Sequence, residues 1–218
     1  SGNDIYLKKG RYILYQNLFL PYGYNLIIDK GTNIKLDTGK SIVVYGGIKA
    51  VGTNKEPIII SNLKKKDSFG SIGIVGNGKT TNILQYVEIY GGKEAYVNGM
   101  HLSGALSIYN HRETKILDSL IHHNSADDGV NIKSSSVLIE NNKFYSNAAD
   151  HLDLDLSNGL VKNNKFVARR FVKDLDIINI PIDDNGDGID LSGSKVIIEN
   201  NVFTKFTDKA ISVGEQSI

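Results

Sequence analysis

Along much of this chain apolar and polar residues alternate one by one. Gly129–Lys133 reads GVNIK, His151–Ser157 reads HLDLDLS and Gly188–Ser192 reads GIDLS. A period of two puts successive side chains on opposite faces of a strand, so one face of each stretch is buried. Val130, Leu152 and Ile189 then point inward, as do Ile132, Leu154 and Leu191. Shorter apolar runs come before them: LIID (26–29), NIKL (33–36), SIVVYGGIKAVG (41–52), PIIIS (57–61), SIGIVG (71–76) and NILQYVEIYG (82–91). Gly, Asn or Thr punctuates them, as turns require. Stretches with a helical period are nearly absent.

The alternating stretches belong to a repeat. Four segments say nearly the same thing: SADDGVNIK, AADHLDLDL, NGDGIDLSG and TDKAISVGE. Between them stand IENNKF, VKNNKF and IENNVF, ending at Phe144, Phe166 and Phe203. Phe144 to Phe166 is 22 residues, and Phe166 to Phe203 is 37, one period plus 15. A fixed period of this size with strand-like pattern predicts an all-β fold, a single-stranded parallel β-helix with coils of about 22 residues. The three phenylalanines form an inward column, continued by Ile121 and Ile89. Asn142, Asn164 and Asn201 recur two residues before each Phe and form a structural column that bonds coil to coil.

Residues 5–20 show no clean period, so residues 1–25 are expected to cap the solenoid and residues 26–218 to form it. Two insertions break the period, near 90–104 and near 167–186, and both are placed to overhang the alternating strands. The closing TDKAISVGEQSI reads as an opening coil, which suggests an excised part of a longer chain with further domains.

Charge adds little direction. With 25 basic and 24 acidic residues the net charge is +1, which gives no general attraction to nucleic acid or an anionic membrane. There is no cysteine, hence no disulfide and no thiol chemistry. No apolar run approaches the ~20 residues of a membrane span.

The runs DKGTNIKL, SIVVYGGIKAVGTNKEPIIIS, SIGIVG and ILQYVEIYGG look like the opening coils of bacterial right-handed parallel β-helix proteins. The Asp-rich coils from residue 127 to 215 are similar to the same pectate-lyase-like, polysaccharide-associated group. The resemblance implies a right-handed coil, an extracellular or cell-surface location and a polysaccharide partner. It leaves the reaction open, since the group holds lyases, epimerases, hydrolases and proteins with no known reaction.

The alternation also says which residues point out. On three neighbouring coils these are Gly129, Asn131 and Lys133; His151, Asp153 and Asp155; and Gly188, Asp190 and Ser192, with Ser107 and Tyr109 on the coil before. Asp128, Asp150 and Asp187 form a column in the preceding turn. Rungs lie roughly 4.8 Å apart, so stacked carboxylates repel unless a cation or a proton intervenes. Oxygen ligands without Cys favour Ca²⁺, with Asp150, Asp153, Asp183, Asp187 and Asp190 as ligands. Asp183–Asp190 (DDNGDGID) matches the front half of a calcium loop but lacks its closing Glu. Asp also simply suits turns, which accounts for the 128/150/187 column without an ion.

His151 lies between Gly129 and Gly188 and is predicted to stand uncrowded on the open face. His151, Asp153 and Lys133 are the candidate catalytic groups, and Arg169, Arg170 and Tyr109 the candidate substrate contacts. His122 and His123 are predicted at the surface. Three readings follow. One is a non-catalytic, Ca²⁺-assisted carbohydrate-binding or adhesion module. Another is a lyase or C5-epimerase of uronic-acid polymers, although no unbroken DPHD is present. The alternative is a glycoside hydrolase resembling polygalacturonases, although its motif order is reversed and Gly-His-Gly is missing.

Overall fold

The computed structural model describes residues 3–168 and 186–218. The described residues wind as a parallel β-solenoid of three faces, each eight rungs long. One coil is β1 (Asn3–Leu7), β2 (Arg11–Leu14) and β3 (Leu18–Leu20), one strand per face.

The first face, called the site face below, stacks β3, β6 (Ile42–Val44), β9 (Ile72–Val75), the leading halves of β14 (Gly104–Leu117) and β16 (Asp128–Glu140), then β18 (Asp150–Asp155), β21 (Ile189–Ser192) and β24 (Ile211–Val213). The second face carries β1, β4 (Tyr24–Ile28), β7 (Ile48–Val51), β10 (Thr81–Gln85), the trailing halves of β14 and β16, β19 (Asn158–Lys162) and β22 (Lys195–Glu199). The third carries β2, β5 (Asn33–Leu36), β8 (Ile58–Asn62), β11 (Val87–Tyr90), β15 (Leu120–His122), β17 (Lys143–Tyr145), β20 (Lys165–Val167) and β23 (Val202–Thr204).

The repeat is the register. Val130 pairs with Leu152, Leu152 with Ile189 and Ile189 with Ile211. Val130, Leu152 and Ile189 are fully buried, as are Ile132 and Leu154. On the third face Ile60, Ile89, Ile121, Phe144, Phe166 and Phe203 follow one another in register. The three rings stack at 4.8 and 4.9 Å, tilted by only 6° and 7°.

Each Asn-Asn pair turns a corner. The first residue of each pair, Asn141, Asn163 or Asn200, takes the left-handed backbone, with φ of 59°, 57° and 55°. Asn tolerates that region better than most side chains. The second reaches inward: Asn164 Oδ1 accepts the Asn142 backbone N–H at 2.9 Å, and Asn201 Oδ1 accepts that of Asn164 at 2.8 Å. Serines do the same at the corner between the first and second faces, from Ser135 through Ser157 and Ser194 to Ser217.

Residues 3–20, expected to cap the solenoid, are themselves the strands of its first coil, paired in parallel with the second. The insertion near 90–104 folds as an antiparallel hairpin of β12 (Ala95–Val97) and β13 (Met100–Leu102). Asn98 and Gly99 both have positive φ, 50° and 77°, the conformation a two-residue hairpin turn requires. The hairpin folds onto the site face, burying Val97 and Leu102 against Val43. Leu102 occupies the space of a side chain at Gly73, whose Cβ would lie 2.7 Å from it. Most of the insertion expected near 167–186 lies outside the described residues.

Candidate functional site

Beyond the hairpin the site face presents two adjacent outward columns. One runs Ser107, Asn131, Asp153, Asp190 and Ser212. The other runs Tyr109, Lys133, Asp155 and Ser192. Ser107 and Asn131 are fully buried, whereas Tyr109, Lys133, Asp153, Asp155 and Asp190 are half-exposed. The accessible acids therefore begin at Asp153.

These groups interlock. Lys133 Nζ pairs with Asp155 Oδ2 at 2.9 Å and lies 5.7 Å from the centre of the Tyr109 ring. Asn131 Nδ2 donates to Asp153 Oδ2 at 2.5 Å and to Asp155 Oδ2 at 3.2 Å. The Asn131 amide oxygen, Oδ1, and the other carboxyl oxygen of Asp153, Oδ1, are buried without a hydrogen-bond partner among the described residues. Burial, reinforced by Asp155 and Asp190, pushes the Asp153 carboxyl up to about 7. Asp153 is therefore about half-protonated near neutrality, next to an Asp155 paired with Lys133.

The turn column has a different task. Asp150 Oδ1 accepts the Asp187 N–H at 2.7 Å, and Asp187 Oδ1 accepts the Lys209 N–H at 2.9 Å. Lys209 Nζ stands 3.6 Å from Asp187 Oδ2. These carboxylates tie coil to coil at the corner, as Asp does in turns generally. Burial also pushes Asp150 up to about 7, and burial together with Asp153 holds Asp128 well above the carboxylate range. Among the described residues no three acidic or histidine side chains converge as a metal-holding group. Asp183, Arg169 and Arg170 lie outside the described residues.

His151 corrects the expectation from the sequence. It is 1% exposed, not open to a groove. Its Nε2 lies 2.9 Å from the Val167 carbonyl, its Nδ1 3.4 Å from that of Ala149, and its ring meets Phe206 edge-on at 5.1 Å. Alternation fails here because the chain is still rounding the corner at the strand's first residues. The same holds for its glycine neighbours. A Cβ on Gly129 would meet Asn147 at 2.6 Å and one on Gly188 the Phe203 ring at 2.7 Å. The glycines are where the interior has no room, and they leave no space outside for His151. Burial lowers the imidazole to about 4, keeping it neutral.

His122 and His123 also lie inside, at 3% and 2% exposure. His122 stacks between Tyr90 and Tyr145, at 5.0 and 4.6 Å. Its Nε2 is 3.0 Å from Glu88 Oε1 and its Nδ1 2.7 Å from His123 Nδ1. The sequence placed Asn131 on the outward face and an insertion near 90–104 over it, but showed neither the burial of Asn131 nor the hairpin form of the insertion. The Asn98-Gly99 pair was a readable signal for the hairpin; nothing in the sequence marks Asn131 as buried.

The raised carboxyls give a pH prediction. A free Asp titrates near 3.9, so the native state binds the Asp150 and Asp153 protons more tightly than the unfolded chain. Their contribution is present at low pH and lost as pH rises from about 4 through about 7. Asp153→Asn keeps the neutral shape, so at pH 8 it should raise the melting temperature by roughly 2–4 °C, about 1 kcal/mol for a chain this size. At pH 4 the two proteins should converge. His151 acts oppositely, losing stability as pH falls from about 6.5 towards 4, so the difference between the proteins is the diagnostic. A variant less stable than wild type at pH 8 would contradict this account.

A family model described as "Right handed beta helix region" matches residues 46–217. No curated protein matches the chain. Among solved structures, the A-module of Azotobacter vinelandii mannuronan C-5 epimerase AlgE6 is similar at 10% identity and a TM-score of 0.30, over 100% of this chain and 90% of that one.

Proposed function

The chain belongs to the right-handed β-helix family, and on that premise we propose that its site face binds a polysaccharide laid along the rungs. The observation that carries the reading is the half-exposed strip of Tyr109, Lys133, Asp153, Asp155 and Asp190 beyond the hairpin. Four rung spacings, from Ser107 to Ser212, give it a length of about 19 Å. Carboxyl and ammonium groups in a row, beside the Tyr109 ring whose hydroxyl bonds the Ser103 N–H and the His101 carbonyl, match the dense hydroxyls of a glycan. Such polymers lie outside the cell, so the proposal includes an extracellular or cell-surface location. No helix among the described residues is long and apolar enough to cross a membrane.

Calcium binding displaces the Asp153 proton and takes the two unpartnered oxygens, Asn131 Oδ1 and Asp153 Oδ1, because Ca²⁺ takes hard oxygen ligands. Lys133, the cation on this strip, is already paired with Asp155. An anionic polymer therefore needs the ion as a bridge, and a neutral one does not. Titration calorimetry against alginate, pectate and neutral glucans and xylans, with Ca²⁺ or chelator, tests both points. The Asp153→Asn/Asp190→Asn protein should bind at least tenfold more weakly, and chelator should abolish binding of the anionic polymers only. Equal binding by the double variant, or none by wild type, rules the proposal out.

One observation favours a catalytic version. Burial raises the Asp153 carboxyl to about 7, two residues along the strand from Asp155, which pairs with Lys133. A carboxyl raised in this way beside a second carboxyl is the pattern of the general acid in glycoside hydrolysis. New reducing ends that disappear in both Asp153→Asn and Asp155→Asn would establish it. The lyase or epimerase version loses His151 as its base, because that ring is buried and hydrogen-bonded.

A further inference from the structure

We infer that the N-terminal end of this face carries a separate sugar position, a pocket on Tyr22 and Tyr45 that takes one uncharged sugar ring. The inference rests on the glycan reading above and adds a place and a ligand class to it. The pocket, of about 190 Å³, is lined by Tyr22, Tyr45, Asn25, Asn77 and Thr80, with glycines at 23, 46 and 76. No Asp, Glu, Lys or Arg lines it.

Its walls are held in place from outside. The hairpin fixes Tyr45, whose hydroxyl accepts from Asn98 Nδ2 at 3.0 Å. Asn25 is held by the Gly47 N–H and by Asp4, each at 3.0 Å. Thr80 Oγ1 sits 2.8 Å from His111 Nδ1. Gly76 lets the chain under the pocket lie close against the next coil, since a Cβ there would meet the Asn110 carbonyl at 2.5 Å.

Two groups remain for a ligand. Among the described residues nothing hydrogen-bonds the Tyr22 hydroxyl or the Asn77 amide nitrogen. Tyr22 is 64% exposed, with its ring 5.1 Å from that of Tyr45 and tilted by 39°. Two tilted aromatic faces offer an apolar surface with polar tips. A sugar ring has the complementary form, with C–H groups on its faces and hydroxyls at its rim. A charged ligand would find no counter-charge here. A wholly apolar one would cover the Asn77 amide nitrogen without pairing it, at a cost.

Position ties the pocket to the strip. Tyr45 follows β6 as Val75 ends β9, and Val75 pairs with Tyr109, Tyr109 with Lys133 and Lys133 with Asp155. Four rungs separate Tyr45 from Asp155, about 19 Å. A glycan along the rungs reaches both, whereas a trisaccharide in the pocket stays clear of the acids.

Saturation-transfer NMR with the neutral trisaccharides of cellulose, xylan, mannan and chitin is the test. At least one should receive saturation from wild type. Tyr22→Ala should weaken that binding at least tenfold; this side chain is exposed, so the fold should survive. Tyr45→Ala should do the same. Asp153→Asn/Asp190→Asn should keep it, since that protein tests the strip alone. Undiminished transfer in both tyrosine variants overturns the pocket. So does loss in the acid variant alone, which would leave the strip as a glycan site without the pocket. No transfer from wild type to any of the four trisaccharides also overturns it.

Discussion

Phe166→Ala is expected to cost 3–5 kcal/mol, the usual range for emptying a fully buried phenylalanine site. Phe166 is 0% exposed, and its ring lies between those of Phe144 and Phe203 at 4.8 and 4.9 Å. The substitution breaks two ring contacts at once, each adding roughly 0.5–1.5 kcal/mol to burial. In a chain of this size the melting temperature should fall by roughly 6–20 °C. Because each coil touches only its neighbours, the damage should spread unevenly. Hydrogen exchange should speed up first in β17, β20 and β23, and last in β2 and β5. Phe166→Leu, which keeps much of the volume, should lose less than half as much. A fall under 2 °C for the alanine variant would mean that the ring is not part of the core.

Much of this architecture is written in the repeat. The alternation at Val130, Leu152 and Ile189 fixes strand, face and register together, because a slip of one residue would turn every apolar side chain outward. The Phe and Asn columns follow from the same 22-residue spacing, and so does the row from Asn131 through Asp153 to Asp190. The first coil was not legible for a physical reason. Among the described residues no coil covers its outer side and four of the five residues of β1 are exposed, so polarity there does not mark inside from outside.

The site was legible only in part. Alternation placed Asp153 and Lys133 on the outer face, but extended one residue too far it also placed His151 there. Asp150 and His151 occupy the corner, where direction is set by Val167 of β20 and by Phe206 beyond β23, and not by the period of two. Nor does the sequence show that Asn131 is buried, since its cover comes from residues of neighbouring coils. Carboxyl protonation follows from that cover. Asp153 and Asp155 differ by two positions in one strand, yet only Asp155 meets a lysine.

Asn164→Ala is the second large effect, and it tests the corner instead of the core. Asn164 is 1% exposed and bonds in both directions along the solenoid. Its Oδ1 accepts from the Asn142 backbone at 2.9 Å and the Asn142 amide at 3.0 Å. Its Nδ2 donates to the Ile139 and Lys162 carbonyls and to Asn201 Oδ1, each at 2.9 Å. Alanine removes these bonds and leaves the Asn142 backbone N–H without its partner beneath the corner. A buried orphan of this kind costs about 1–3 kcal/mol and each further lost bond about 0.5–1.5 kcal/mol, which together imply a loss of about 3 kcal/mol or more by urea denaturation. Asn163→Gly, one residue away, should change stability far less, because φ at 163 is +57° and glycine accepts that conformation freely. Asn142 and Asn164 share bonds, so their double variant should lose measurably less than the two single losses combined. Full additivity, or a loss below 1 kcal/mol for Asn164→Ala, would show that water replaces the ladder and that the corners are not what holds one coil to the next.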